Sequence, residues 1–428
     1  MRIEGELRVP SDKSISHRAI IIGALAEGDT LVKNWLRSAD TTATLRVYRQ
    51  MGLEVEEKES GELVVKGRGL FSLREPDRVL DAQNSGTTAR LSLGVLAAQP
   101  FFAVLTGDDS LRRRPMLRVV KPLREMGASV DGREGGNLLP LAVRGGPLRG
   151  ISFFNKKASA QVKSALLLAG LHAEGTTEVE EPYLSRDHTE RMLRLFEVDL
   201  ETVPLERGVL VKVKGPQQPT GGKEIFVPAD PSSAAFFAAA AVLLPGSHLL
   251  LKEVLVNPTR DGFFRKLRQM GALLEYENPR ELSMEPIADV RVRHSPELRG
   301  VEVFPEEVPA MIDELPLLAV VATQAEGTTV IRGAAELRVK ESDRIKATVE
   351  NLRKMGARVE ELPDGMVIYG KTPLRGGVKI KTYGDHRIAM AFTVAGLVAD
   401  GPVELDDPSC VAVSYPRFFD DLKKVLKP

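Results

Sequence analysis

The sequence predicts an α/β protein of two domains, each made of three copies of a unit that holds two helices and intervening strands. Three observations predict it: two phrases that alternate along the chain six times each, a length of 428 residues, and one Pro/Gly-rich stretch near the midpoint. A chain of that length is too long for one core and suits two.

The first phrase reads YRQMGLEV at 48, LREMGASV at 123, LRLFEVDL at 193, LRQMGALL at 267 and LRKMGARV at 352, with a truncated LKKVL at 422. Each reads as the end of an amphipathic helix, turned by Gly in most copies, that runs into a strand. The second phrase begins HRAIIIGAL at 17, TARLSLGVL at 88, VKSALLLAGL at 162, AAFFAAAAVLL at 234, LPLLAVVAT at 315 and HRIAMAFTVAGL at 386. These segments are apolar nearly all round, so they are helices buried on every side and closed by Gly or Pro. The unit they define runs to roughly 70–85 residues, longer than a solenoid repeat. The stretch KGPQQPTGGKEIFVPADPSS, residues 214–233, divides the copies three and three, which sets expected domains at 10–227 and at 1–9 plus 228–428. The first strand joins the second half because its own helix begins only after Pro10.

Lys plus Arg and Asp plus Glu both total 59, so no global field recruits nucleic acid or an anionic membrane. One cysteine, Cys410, excludes an intramolecular disulfide framework and a Cys-rich metal site, and it suits a reducing compartment. The start MRIEGELRV is polar and strand-like, and no segment offers eighteen unbroken apolar residues; the expectation is a cytoplasmic protein with no membrane span. No Walker loop, H-E-x-x-H or strand-linked G-x-G-x-x-G occurs.

Polar residues collect where the helices start. Before the buried ones stand Ser11–Asp12–Lys13–Ser14, Asn84–Ser85–Gly86–Thr87, Ser159–Ala160–Gln161, Asp230–Pro231–Ser232–Ser233, Asp313–Glu314 and Asp385–His386–Arg387. Before the amphipathic ones stand Arg113–Arg114–Pro115, Ser185–Arg186–Asp187 and Lys340–Glu341–Ser342–Asp343–Arg344. N-capping accounts for the Ser, Asp and Asn residues, each contributing about 1 kcal/mol, and it is an adequate account of Asp313. It does not account for Lys and Arg, which oppose the macrodipole at a helix N-terminus. Amides and cations gathered at one place are what phosphate and carboxylate groups need. Asp313 and Glu341 are carboxylates among those cations, the setting of a general acid or base. Of six histidines only His17, His188 and His386 lie in the polar clusters; His172, His248 and His294 read as structural or solvated.

The motifs SDKSISHR, NSGTTAR, GDDSLRRRPM, SAQVKSALLLAGL, RDHTERML, RVKESDRI, YGDHRIAMAF and DPSCVAVSYP, in that order from about residue 4 to 422, resemble the 5-enolpyruvylshikimate-3-phosphate synthase family of enolpyruvyl transferases. The resemblance implies a two-domain enolpyruvyl transferase fold, each domain three βαβαββ units packed around buried parallel helices as an inside-out α/β barrel, with the active site in the interdomain cleft. It implies transfer of the enolpyruvyl group of phosphoenolpyruvate to the 5-hydroxyl of shikimate 3-phosphate through a tetrahedral intermediate, a step toward chorismate and the aromatic amino acids. It further implies a glyphosate target, a monomer, no metal and no organic cofactor.

Carried over by resemblance, Lys13, Ser14, Arg18, Ser159, Ala160, Gln161, Arg186, Asp313 and Lys340 bind shikimate 3-phosphate. Lys13, Gly86, Arg114, Gln161, Arg344 and Arg387 bind phosphoenolpyruvate, the three Arg clamping phosphate and carboxylate. Lys13, Asp313 and Glu341 are catalytic, Asp313 accepting the 5-hydroxyl proton and Glu341 protonating the methylene carbon. Two departures stand out: Val413 where many members carry Lys, and NSGTTAR in place of NAGTAMR. The sister transferase acting on UDP-N-acetylglucosamine shares the repeat plan but usually places a loop cysteine near Arg112–Arg113–Arg114, whereas the only cysteine here is Cys410. A non-catalytic repeat scaffold offers no account of the cations at the helix starts.

Overall fold

The computed structural model describes residues 1–428. The chain separates into two compact units: residues 11–227 together with 282–285, and residues 1–10, 228–281 and 286–428. They are called here the central unit and the terminal unit.

The central unit holds helices α1 (Lys13–Leu25), α2 (Ala39–Gln50), α3 (Gly86–Leu96), α4 (Leu117–Glu125), α5 (Ala160–Gly170) and α6 (His188–Leu195). The terminal unit holds α7 (Pro231–Leu243), α8 (Gly262–Gln269), α9 (Leu315–Thr323), α10 (Arg344–Lys354), α11 (His386–Leu397) and α12 (Phe418–Val425). The odd-numbered helices are the apolar phrase and are buried on nearly every face. The even-numbered ones bury one stripe and lead into a strand. Among the buried set, α3 lies against α5 closely enough that a Cβ on Gly94 would stand 2.2 Å from the Ala165 carbonyl oxygen; only Gly permits that approach. No helix is long and apolar enough to cross a membrane.

Three four-stranded sheets of one pattern surround the central helices. Strand Gly175–Glu181, which follows α5, pairs parallel with Ser152–Phe154 and antiparallel with Val209–Gly215, which pairs antiparallel with Leu200–Pro204. The sheets built on Glu27–Lys33 and on Phe102–Thr106 repeat the pattern. In the first of these the parallel edge is Glu224–Phe226, the last strand before residue 228, so the chain closes on its own first repeat. The terminal unit has a five-stranded sheet, with Arg2–Leu7 lying between His248–Leu255 and Leu426–Lys427, then a four-stranded sheet and a reduced pair, Val378–Ile380 with Val403–Leu405.

Capping is the local reason the buried helices start where they do. Asp12, Ser85, Ser159, Asp230 and Asp385 each accept a backbone N–H of the first turn. The exception corrects the sequence reading: α9 begins with no side-chain cap, and Asp313 sits one residue further out in a 3-10 turn, Ile312–Glu314, with its carboxylate turned to an arginine instead.

Candidate active site

The predicted residues fall into two sets, one in each unit. In the central unit Lys13, Ser14, Arg18, Gly86, Arg114, Ser159, Ala160, Gln161 and Arg186 stand at or beside the starts of α1, α3, α4, α5 and α6. In the terminal unit Asp313, Lys340, Glu341, Arg344 and Arg387 stand at the starts of α9, α10 and α11.

Within the central set, Lys13 is the first residue of α1 and its Nζ reaches Asp40 Oδ2 of α2 at 2.8 Å. The carboxylate relieves the conflict between a cation and the helix N-terminus. Arg18, one turn on and buried, donates Nε to Thr189 Oγ1 of α6 (2.7 Å), Nη1 to the Ser14 carbonyl (3.0 Å) and Nη2 to Ser164 Oγ of α5 (2.9 Å). One guanidinium therefore fixes the starts of three helices against each other. Gln161 is held at both ends of its amide, accepting from Arg90 Nη1 at 2.7 Å and donating to Thr87 Oγ1 at 3.1 Å. Arg114 donates Nη2 to Asn84 Oδ1 at 2.9 Å. Gly86 opens α3 between these arginines, and a Cβ there would lie 2.9 Å from Arg90 Nη1 and 3.4 Å from Arg114 Nη1.

Beneath this surface His17 Nδ1 meets Thr44 Oγ1 at 2.7 Å, Thr44 Oγ1 meets Thr88 Oγ1 at 2.6 Å, and the Thr88 hydroxyl donates to Ser85 Oγ at 2.7 Å. Each hydroxyl has one proton. With that of Thr88 spent on Ser85, Thr44 donates to Thr88 and His17 donates through Nδ1, which assigns the neutral tautomer. Burial, then Lys13 and Arg18, holds the His17 imidazole well below its ordinary range, so it adds no third charge beside them.

In the terminal set one guanidinium gathers three carboxylates. Arg344 is 1% exposed; its Nε donates to Asp385 Oδ2 at 2.8 Å, Nη1 to Asp313 Oδ1 at 3.0 Å and Nη2 to Glu341 Oε2 at 2.7 Å. Burial alone would depress the guanidinium, but Asp385, Glu341 and Asp313 outweigh it and push it above its ordinary value. Burial likewise raises the Asp385 carboxyl, and Arg344 reverses this and holds it low. Arg387 is 4% exposed and forms no ion pair with a carboxylate of the chain. A buried, unmatched cation is costly, and an anionic ligand would offset that cost. Val413 ends a short 3-10 helix, Pro408–Val413, against α11.

Three residues of this geometry carry no role in the sequence reading. Asp40, the partner of Lys13, lies in the first turn of α2 behind a Ser38–Thr41 capping box, a pattern visible in RSADTTATL. Arg90 is the last letter of NSGTTAR, four residues after Gly86 and thus on the same helix face. Asp385 is part of YGDHR, but its pairing with an arginine 41 residues earlier leaves no local mark.

Buried helices whose starts carry arginines, lysines and paired carboxylates, repeated three times in each of two units, define an enolpyruvyl transferase architecture. The enolpyruvyl transferase NikO from Streptomyces tendae shares the fold, with a TM-score of 0.78 at 18% identity over 99% of this chain and 95% of that one. The particular family follows from the sequence: residues 1–422 match EPSP synthase (3-phosphoshikimate 1-carboxyvinyltransferase), and the chain belongs to that family. It is 61% identical over 426 residues to the 3-phosphoshikimate 1-carboxyvinyltransferase of Aquifex aeolicus, covering 100% of this chain and 98% of that one. The EPSP synthase structure from Acinetobacter baumannii matches with a TM-score of 0.86 at 44% identity, covering 99% and 96%.

Proposed function

We propose that this protein transfers the enolpyruvyl group of phosphoenolpyruvate to the 5-hydroxyl of shikimate 3-phosphate and releases phosphate. The observation that carries the mechanism is the Arg344 cluster, where two carboxylates, Asp313 and Glu341, share one buried guanidinium. Glu341 gives a proton to the methylene carbon of phosphoenolpyruvate while Asp313 takes the proton of the 5-hydroxyl, whose oxygen bonds to the adjacent carbon. The resulting tetrahedral intermediate loses phosphate, which takes up the proton held by Asp313, as a methyl proton returns to Glu341 and restores the double bond.

Lys13, Ser14, Arg18, Ser159, Ala160, Gln161, Arg186, Asp313 and Lys340 hold shikimate 3-phosphate. Lys13, Gly86, Arg114, Gln161, Arg344 and Arg387 hold phosphoenolpyruvate, with cations matched to its phosphate and carboxylate. The central unit is read as the shikimate 3-phosphate side, and the terminal unit supplies Arg344, Arg387 and the acid/base pair. The enzyme works as a monomer in the cytoplasm without metal or organic cofactor.

The test is phosphate release on mixing the protein with phosphoenolpyruvate and either shikimate 3-phosphate or UDP-N-acetylglucosamine, without added metal. Release with shikimate 3-phosphate alone is expected. Release only with the nucleotide sugar would change the acceptor, and silence with both would remove the reaction.

A further inference from the structure

Under the serine turn of the central unit lies a buried charge cluster that the proposed reaction does not use. Glu181 ends strand Gly175–Glu181 and is 0% exposed. Its Oε1 accepts from Asn155 Nδ2 at 2.8 Å and Ser185 Oγ at 2.7 Å, and its Oε2 accepts from the Ser185 N–H at 3.0 Å and Lys163 Nζ at 3.1 Å. Asn155 passes the connection on, donating Nδ2 to the Ser159 carbonyl at 2.9 Å and accepting the Ser159 N–H at 3.4 Å. Lys163, on α5, also donates to the Ser185 carbonyl at 3.3 Å and pairs with Glu190 of α6 at 2.7 Å.

One carboxylate, 26 residues after Asn155, thus ties two loops, one running into Ser159 and the other into Arg186. The arrangement is costly, because each buried ion carries a desolvation penalty of several kcal/mol and an apolar cluster would pack as well. Two carboxylates around one ammonium leave a surplus negative charge, and burial accordingly raises the Glu190 carboxyl despite Lys163. What an apolar cluster could not supply is direction. Glu181 presents acceptors to both loops at once and so sets their spacing.

We propose that Glu181 is a positioning residue for shikimate 3-phosphate: it touches no substrate, but fixes the distance between Ser159 and Arg186 and with it the affinity for the substrate's phosphate. This rests on the reading of Ser159 and Arg186 as ligands of that substrate.

The test is Glu181→Gln, which keeps shape but turns one oxygen into a donor facing either Asn155 Nδ2 or both the Ser185 N–H and Lys163. KM for shikimate 3-phosphate, and its Kd by calorimetry in the absence of phosphoenolpyruvate, should rise tenfold or more, with kcat and KM for phosphoenolpyruvate within threefold. The comparator is Glu190→Gln, which alters the same lysine but bonds to neither loop; it should lower Tm and leave KM for shikimate 3-phosphate unchanged. If Glu181→Gln does not fold, Asn155→Ala, which cuts only the Ser159 arm, carries the same expectation. Equal increases in both substrates' KM, an unchanged Kd in a folded Glu181 variant, or an equal rise with Glu190→Gln would overturn the proposal. Wild-type protein that binds no shikimate 3-phosphate overturns the parent reading and this one with it; wild-type binding with an unaffected variant overturns this one alone.

Discussion

Arg344 donates to three carboxylates from one planar group, and these partners divide by what they are free to do. Asp385 is fully buried and caps α11, so it holds the guanidinium in place. Asp313 and Glu341 are partly exposed and can face substrate. Replacing Glu341 with Gln should therefore leave binding of both substrates intact and cut kcat about 100-fold or more, and Asp313→Ala should cut kcat as deeply while also weakening shikimate 3-phosphate binding, checked by calorimetry beside a phosphate-release assay. Asp385→Asn should act differently, because it leaves a buried cation short of charge. Such a change costs about 3–5 kcal/mol at most, so Tm should fall together with affinity for phosphoenolpyruvate, measured by thermal melts and titration. The residues of this cluster were legible as types in RVKESDR and YGDHR, since cations at helix starts contradict local stability. Their pairing was not, because it joins α10 to α11 through tertiary packing, and nothing local marks that the Asp313 carboxylate turns to Arg344 and leaves the start of α9 uncapped.

At the level of the element, the start and the middle of α3 set tolerances that one methyl group exceeds. A Cβ at Gly94 meets backbone, the Ala165 carbonyl oxygen at 2.2 Å, which cannot swing aside; Gly94→Ala should cost about 1–3 kcal/mol or more by overpacking, read by chemical denaturation. A Cβ at Gly86 meets instead the ends of two arginine side chains, which can give way. Gly86→Ala should accordingly fold normally and raise KM for phosphoenolpyruvate severalfold, with KM for shikimate 3-phosphate little changed in steady-state assays. The helices themselves were legible from period alone, since six segments apolar on all faces can only be interior. Even the shortened sixth copy was visible: LKKVL lies in α12, whose following strand is only Leu426–Lys427 and pairs with Arg2–Leu7. Sheet membership of that kind, between residues more than 400 apart, leaves no periodic trace.

For the molecule as a whole, buried histidines set the acid side of its stability. Burial lowers both His17 and His172 from their ordinary 6.5. Below that value the unfolded chain takes up protons that the folded protein refuses. Stability should therefore fall as pH drops from about 7 through 6.5 toward the depressed folded values. Glu190, raised by burial, opposes this only where its own carboxyl takes up a proton in the folded state before it does in the unfolded chain. Melting curves between pH 7.5 and 5 should show the decline, and His17→Gln should flatten it.

The turn at residues 282–285 belongs to the central unit although the chain around it does not. Glu285 supplies the carboxylate for buried His188 at 2.6 Å, Met284 accepts from Arg191 at 2.9 Å, and Ser283 accepts the Phe226 N–H at 2.9 Å. Strand Arg2–Leu7, the first to be made, pairs in the other unit with His248–Leu255. These crossings turn architecture into a schedule. A ribosome adding about 5–20 residues per second leaves that strand without its partner for roughly ten to fifty seconds. It also leaves the central unit, otherwise finished at residue 227, lacking its last four residues until 285 has emerged. The nascent chain thus carries an unpaired strand and a histidine still lacking its Glu285 carboxylate at the same time, which makes that interval the period in which the growing protein most needs protection from its neighbours.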